Sequence, residues 1–277
     1  MDLKLLDLFS GIGGFSYAAE KIVGGYKTTQ FVEKNTYCKS VLHKNFPNIP
    51  IHNDIKTFSA KKGQFDIFTI GFPCQDLSVA GRQKGIGEGT RSGLFYESIR
   101  LLREVRPRFA IFENVRNLLS IEEGRVFQEV LFQIAQAGNY EIEWAVVSAK
   151  DLGACHLRQR LWILAYSNDY GSSSTERIRV NGKADSNTQK GQNKISESEG
   201  SSKSSNGRII QHTSKWRNLK HRLNSDWKGY ASEPTLRRGD DGLSNRVARI
   251  KALGNSIVPN CAAVPLQRIK DLSEEKC

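Results

Sequence analysis

The chain has 277 residues, 38% of them hydrophobic, which suffices for one substantial core and leaves room for a smaller second unit. Its formal charge of +12 favours a polyanionic partner, because clustered Lys and Arg displace condensed counterions from nucleic acid. Five scattered cysteines with no CxxC pair exclude a disulfide framework and a zinc site, and no apolar run reaches membrane-spanning length.

The opening MDLKLLDLFSG is broken too early by Asp7 and Gly11 to serve as a signal peptide, so a soluble cytoplasmic protein with no metal is expected. Up to about residue 165, short β-branched or aromatic runs alternate with helical periodicity, the pattern of parallel α/β units. LKLLDLF, TQFVE, FDIFTI, RFAIFEN, IEWAVVSA and RLWILAY read as strands. Helices are predicted over Phe15–Ile22, Tyr37–Asn45, Leu94–Val105 and Val126–Ala137, where apolar residues recur at spacings of three and four.

From Ser167 the text turns polar and rich in Ser, Asn, Gly and Lys, a composition that cannot build a core of its own. Trp216, Trp227 and Tyr230 then return among basic residues. Residues 171–249 hold sixteen Lys or Arg against eight Asp or Glu, a surplus of eight out of the total of twelve. Regular patterning resumes at Asn245 and ends in a predicted helix after the Gly254–Asn255 turn.

Several short motifs fall where predicted strands end. DLFSGIGGFS (Asp7–Ser16) runs from a strand through a glycine turn into a helix, which either packs tightly or lets a nucleotide-type ligand approach backbone N–H groups. Glu33 closes the next strand, where a carboxylate either caps a helix or accepts from ribose hydroxyls; Asp54 follows at a comparable turn. In GFPCQ, Pro73 and Cys74 lie on the loop leaving the third apolar strand, the edge at which open α/β sheets bind ligands. Cys74 is either incidental or a thiolate held by Arg82, Lys84 and Arg91 in a loop whose five glycines suit a lid. Glu113 and Asn114 end the next strand in FENV. Arg158 and Arg160, two apart, can point both guanidinium groups at one anion or base, or form a solvated strand edge.

Taken in order, DLFSGIGGFS, GFPCQ, FENV, the RxR ahead of an apolar strand and GNSIVP resemble the DNA (cytosine-5) methyltransferase family, in a compact prokaryotic or phage-type form. The resemblance covers about residues 1–165 and 245–270. It implies an α/β, Rossmann-like S-adenosylmethionine-dependent methyltransferase fold with a smaller inserted target recognition region. The catalytic and cofactor-binding domain would be 1–165 plus 245–277, and the recognition domain 166–244. S-adenosyl-L-methionine would be held by Phe9, Gly11, Gly13, Gly14, Glu33, Asp54, Ile55, Leu94, Asn255 and Ser256. Cys74, presented by Pro73, would add to C6 of a flipped cytosine while Glu113 serves N3. Asn114 would position the loop, and Arg160 with Arg158 would steady the base. Gln75, Ser78, Arg82, Lys84 and Arg91 would contact DNA. The implied partner is double-stranded DNA, met by a monomer without membrane association, with a cognate restriction endonuclease as a candidate companion. A tRNA cytosine-5 methyltransferase and a non-catalytic DNA-binding relative are the alternatives. Cys155 and His156 depart from the family, many of whose members have Pro-Gln there.

Overall fold

The computed structural model describes residues 2–73, 93–167, 201–204, 207–211, 216, 218–220, 223 and 246–274. In chain order these form β1 (Leu3–Leu8), α1 (Gly14–Tyr17, continued by a π-helical turn Ala18–Val23), β2 (Tyr26–Val32), α2 (Thr36–Asn45), β3 (Ile51–His52) and β4 (Ile67–Ile70). There follow α3 (Gly93–Val105), β5 (Phe109–Val115), α4 (Arg125–Gly138), β6 (Tyr140–Ser148) and β7 (Gln159–Ser167). The last are β8 (Ser201–Ser204), β9 (Gly207–Gln211), α5 (Arg246–Asn255) and α6 (Pro259–Glu274). No described helix is long and apolar enough to cross a membrane.

All the strands join one sheet in the order β3-β2-β1-β4-β5-β7-β6-β9-β8. β1 pairs in parallel with both β2 and β4, so the chain leaves β1 toward one side of the sheet and returns at β4 to build the other. That reversal creates a crevice at the carboxyl ends of β1 and β4, the place where doubly wound sheets bind ligands. The strands are continuous apolar runs because both faces are covered. Leu6, Leu8, Phe68, Ile70 and Phe112 meet Ile99 and Leu102 of α3 and Val130 and Ile134 of α4 on one face. On the other, Leu5, Ile67, Phe109 and Ile111 meet Phe15 of α1 and Leu266 and Ile269 of α6.

The six predicted strands and four predicted helices are present, with one difference of direction. β7 is antiparallel to both β5 and β6, whereas the pattern was that of parallel units. The connection from β6 to β7, residues 149–158, is shorter than the dozen or more residues that a parallel crossover needs.

The polar segment also contributes more to the sheet than its composition predicts. β9 pairs in parallel with β6, and β8 completes the edge. Trp216 and Leu219, within the stretch 166–244, are buried in the same cluster as α1 and α6. The Trp216 indole donates to Glu143 Oε2 at 3.1 Å, and Lys220 Nζ donates to the Val146 carbonyl at 3.0 Å.

Candidate active site

At the carboxyl end of β1 the backbone turns through left-handed conformations at Phe9, Gly11 and Gly13. The glycines are needed for different reasons. A Cβ on Gly11 would meet nothing within 4 Å, so its open side faces the crevice. One on Gly13 would lie 2.7 Å from a Phe46 ring carbon, and one on Gly14 would lie 3.0 Å from the Ile257 carbonyl oxygen, so these two let protein elements close up behind the turn. Glu33, just past β2, receives the Gly11 N–H at 2.8 Å and the Asn35 N–H at 2.6 Å, fixing its carboxylate beside the turn. Beneath it, Asp7 is fully buried and accepts from the Ser16 and Thr69 hydroxyls, each at 2.9 Å. Burial pushes the Asp7 carboxyl up to about 7, the two hydroxyl donors opposing only part of that shift.

A second group gathers where β4 and β5 end. Asn114 Nδ2 donates to the Phe72 carbonyl at 3.2 Å and so pins the backbone just before Pro73. The antiparallel register sets Glu113 opposite Trp162 and Val115 opposite Arg160, which brings Arg160 Nε to 3.0 Å from Glu113 Oε1. Burial raises the Glu113 pKa, with Arg160 and then Arg158 lowering it by less. Arg158 turns away from this pair: Nη2 donates to the carbonyls of Gly254, at 3.0 Å, and Ser256. Burial, followed by the charge of Arg160, lowers the Arg158 pKa.

Both groups face one cavity of about 970 Å³, within the size range of small-molecule sites. Phe9, Gly11, Glu33 and Asn255 line it together with Pro73, Glu113, Asn114, Arg158 and Arg160. The remaining expected cofactor residues stand outside the lining. Gly13 and Gly14 lie behind the turn. Asp54 accepts from Lys34 Nζ at 3.2 Å and the Lys56 N–H at 3.1 Å, and Ile55 is buried in the core. Leu94 packs against that core, and Ser256 accepts from Arg158 through its carbonyl. Cys74, Gln75, Ser78, Arg82, Lys84 and Arg91 lie outside the described residues.

Residues 3–252 match the family model for C-5 cytosine-specific DNA methylases. The chain belongs to that family. It is 34% identical over 168 residues to the type II methyltransferase M.HhaI of Haemophilus parahaemolyticus, an alignment covering 60% of this chain and 50% of that one. It is 32% identical over 168 residues to the type II methyltransferase M.Bsp6I of Bacillus sp. (strain RFL6), covering 60% of this chain and 53% of the relative. The chain thus spans about half the length of the relatives it matches. The S. pombe Dnmt2 methyltransferase structure shares the fold, with a TM-score of 0.61 and 18% identity over 99% of each chain.

Among the lining residues that sequence reasoning did not single out are Asn35, Cys38, Val247 and Lys251. Asn35 was legible as a helix cap, and its side chain accepts from the Cys38 N–H at 3.0 Å, which sets the first turn of α2 beside Glu33. Burial and then Glu33 push the Cys38 thiol up to about 11. For Val247 and Lys251 there was no signal, since they enter the lining through the placement of α5. Cys155 and His156, where many members have Pro-Gln, are exposed.

Proposed function

We propose that this protein transfers the methyl group of S-adenosylmethionine to C5 of a cytosine in duplex DNA. The observation that carries the reading is the shared cavity, in which a ribose-type acceptor at Glu33 and the Glu113–Arg160 pair face the same space. The residues fit the donor: Gly11 leaves its side of the turn open, the Glu33 carboxylate keeps lone pairs for two hydroxyls, and Asn255 lines the same wall. Bound there, S-adenosylmethionine supplies an electrophilic methyl group.

Cytosine C5 is too weak a nucleophile to take that group unaided. The Cys74 thiolate adds to C6, and the ring electrons move toward N3, where Glu113 donates its proton. C5 then behaves as an enamine carbon and can accept the methyl group. Loss of the C5 proton to a base drives out the Cys74 thiolate, and the Glu113 carboxylate takes back the N3 proton, closing the balance with 5-methylcytosine and S-adenosylhomocysteine as products. Asn114 holds the loop that presents Pro73 and Cys74, while Arg160 keeps the acid in place. A stacked base offers no route for such an attack, so the cytosine must be flipped into the cavity. Target recognition is assigned to 166–244, with β9, Trp216, Leu219 and Lys220 as its mounting on the catalytic body.

The test is methyl transfer from labelled S-adenosylmethionine to duplex DNA and to tRNA, followed by bisulfite sequencing of the DNA. Incorporation into DNA alone at one sequence is expected. Cys74→Ser should abolish it, and a Cys74→Ser protein that methylates normally would overturn the assignment of the nucleophile.

A further inference from the structure

α5 ends at Asn255, and the last carbonyls of a helix need donors from elsewhere. Ser256 meets one of them, its N–H and hydroxyl both reaching the Leu253 carbonyl at 3.2 and 2.8 Å. The Gly254 carbonyl is met from 96 residues away, by Arg158 Nη2 at 3.0 Å, and the same nitrogen holds the Ser256 carbonyl. A guanidinium is well suited to this place, because the carboxyl end of a helix carries partial negative charge.

What this turn touches gives the contact its meaning. The Ile257 carbonyl and Cβ lie 3.0 and 3.2 Å from where Gly14 would carry a Cβ, and the Ile257 Cδ1 lies 3.7 Å from the same point on Gly71. The turn therefore lies across the loops that leave β1 and β4, while Gly254 and Asn255 line the cavity. Arg158 holds it there from the segment that carries Arg160 to Glu113. The two arginines were expected to share one target. Their guanidinium groups instead serve different parts of the cavity.

We infer that Arg158 is a positioning residue for the methyl-donor pocket, fixing the Gly254–Ser256 turn against the glycine turn rather than contacting the target base. The inference rests on the proposed methyl transfer and deepens it. Loss of the guanidinium leaves two carbonyls without their donor and frees the wall that Asn255 forms. Donor affinity falls, and chemistry on a bound base, which depends mainly on Glu113 and its ion pair with Arg160, falls far less.

The experiment compares the full chain with Arg158→Met, Arg158→Lys and Arg160→Met. S-adenosylhomocysteine binding is measured by calorimetry, amide exchange over residues 253–258 by mass spectrometry, and KM and kcat with saturating DNA. Arg158→Met should bind about ten- to a hundredfold more weakly, the range of a lost charged hydrogen bond, and exchange faster over 253–258. Its KM for S-adenosylmethionine should rise in step with that loss, with kcat far less affected. Arg158→Lys, still able to donate to both carbonyls, should recover most of the affinity. Arg160→Met should show the converse, a fall in kcat at unchanged affinity. Wild-type affinity and exchange in Arg158→Met, with kcat lost, would overturn the inference and return Arg158 to the base. Should the wild-type chain itself fail to bind S-adenosylhomocysteine, the donor assignment falls, whereas unchanged exchange over 253–258 in Arg158→Met refutes the clamp separately. If Arg158→Met does not fold, exchange and affinity in Arg158→Lys decide, since a longer bond to the turn should leave both between wild type and complete loss.

Discussion

Replacing Arg268 on α6 by alanine should cost this protein more stability than any single change at the cavity. Glu143 of β6 and Arg268 keep only 1% and 2% of their surface exposed. They form two hydrogen bonds of 3.0 Å, from Arg268 Nε to Glu143 Oε2 and from Nη2 to Oε1. The same carboxylate accepts from the Tyr166 hydroxyl at 3.2 Å and the Trp216 indole at 3.1 Å. Without the guanidinium, the neutral Tyr166 and Trp216 donors offset only part of the cost of a buried charge. Breaking such a pair from one side costs about 3–5 kcal/mol. At about 2–4 °C per kcal/mol for a chain of this size class, the melting temperature should drop by about 6–20 °C.

The double variant Glu143→Gln with Arg268→Met separates charge burial from packing. It removes both charges, approximates both volumes and leaves an amide oxygen for Trp216 or Tyr166. It should melt well above Arg268→Ala, because removing both partners avoids leaving one charge unpaired. Thermal and urea unfolding at fixed pH and salt measure all three proteins. An Arg268→Ala protein within 1 kcal/mol of wild type, or a double variant no more stable than the single one, would refute the reasoning; that threshold lies below the spread of measured one-sided losses, about 3–5 kcal/mol.

Two further predictions concern groups whose protonation the fold shifts. Glu113→Gln keeps a hydrogen-bond donor but cannot release a proton, so kcat should fall by about 10²–10⁴. Because burial raises the Glu113 pKa, the wild-type rate should decline as pH rises through that elevated value, and the residual rate of the glutamine variant should lack this decline in a pH series of methyl transfer. Asp7 titrates at about 7 in the fold against an ordinary 3.8, so between these values the folded chain holds the extra proton and stability falls as pH rises. The penalty is complete above about 7 and absent below 3.8, and its size is on the order of 4 kcal/mol. Asp7→Asn should remove that part of the slope in urea unfolding at the two ends of this window, and identical slopes in the two proteins would exclude it.

The α/β sheet and its helices were legible because the strands are dense apolar runs and the helices are amphipathic, two periods that the sequence displays openly. The glycine turn, Glu33 and Glu113 were legible for a related reason: each follows directly from a strand, so locating the strand locates the residue. Arg158 and Arg160 were found as a pair, and the structure gives their guanidinium groups different partners. Arg160 lies on β7, but Arg158 precedes the strand with a positive φ of 22°, so the shared face does not extend to it and the two guanidinium groups reach different acceptors, Glu113 for one and the end of α5 for the other. β8 was hidden in a polar stretch because its pairing with β9 is made by backbone groups, which any composition supplies. Asp54 and Ile55 were nominated as cofactor residues by the resemblance; in the structure Asp54 accepts from Lys34 and the Lys56 N–H, and Ile55 is buried in the core.

The antiparallel direction of β7 is what makes the acid usable. Had β7 run parallel to β5, residues at its start would lie at the amino edge of the sheet, a full strand length from Glu113. Running backwards, it begins where β5 ends, and Arg160 arrives opposite Val115 within reach of the carboxyl group. Glu113 is then pulled two ways, its proton retained by burial and its charge favoured by Arg160 and Arg158. On the proposed reaction it must do both in turn, giving a proton to N3 as Cys74 adds to C6 and taking it back as Cys74 leaves. A carboxyl exposed to solvent would rarely hold the proton at neutral pH, and one buried without the arginine would rarely release it. The ion pair across two antiparallel strands keeps both states within reach.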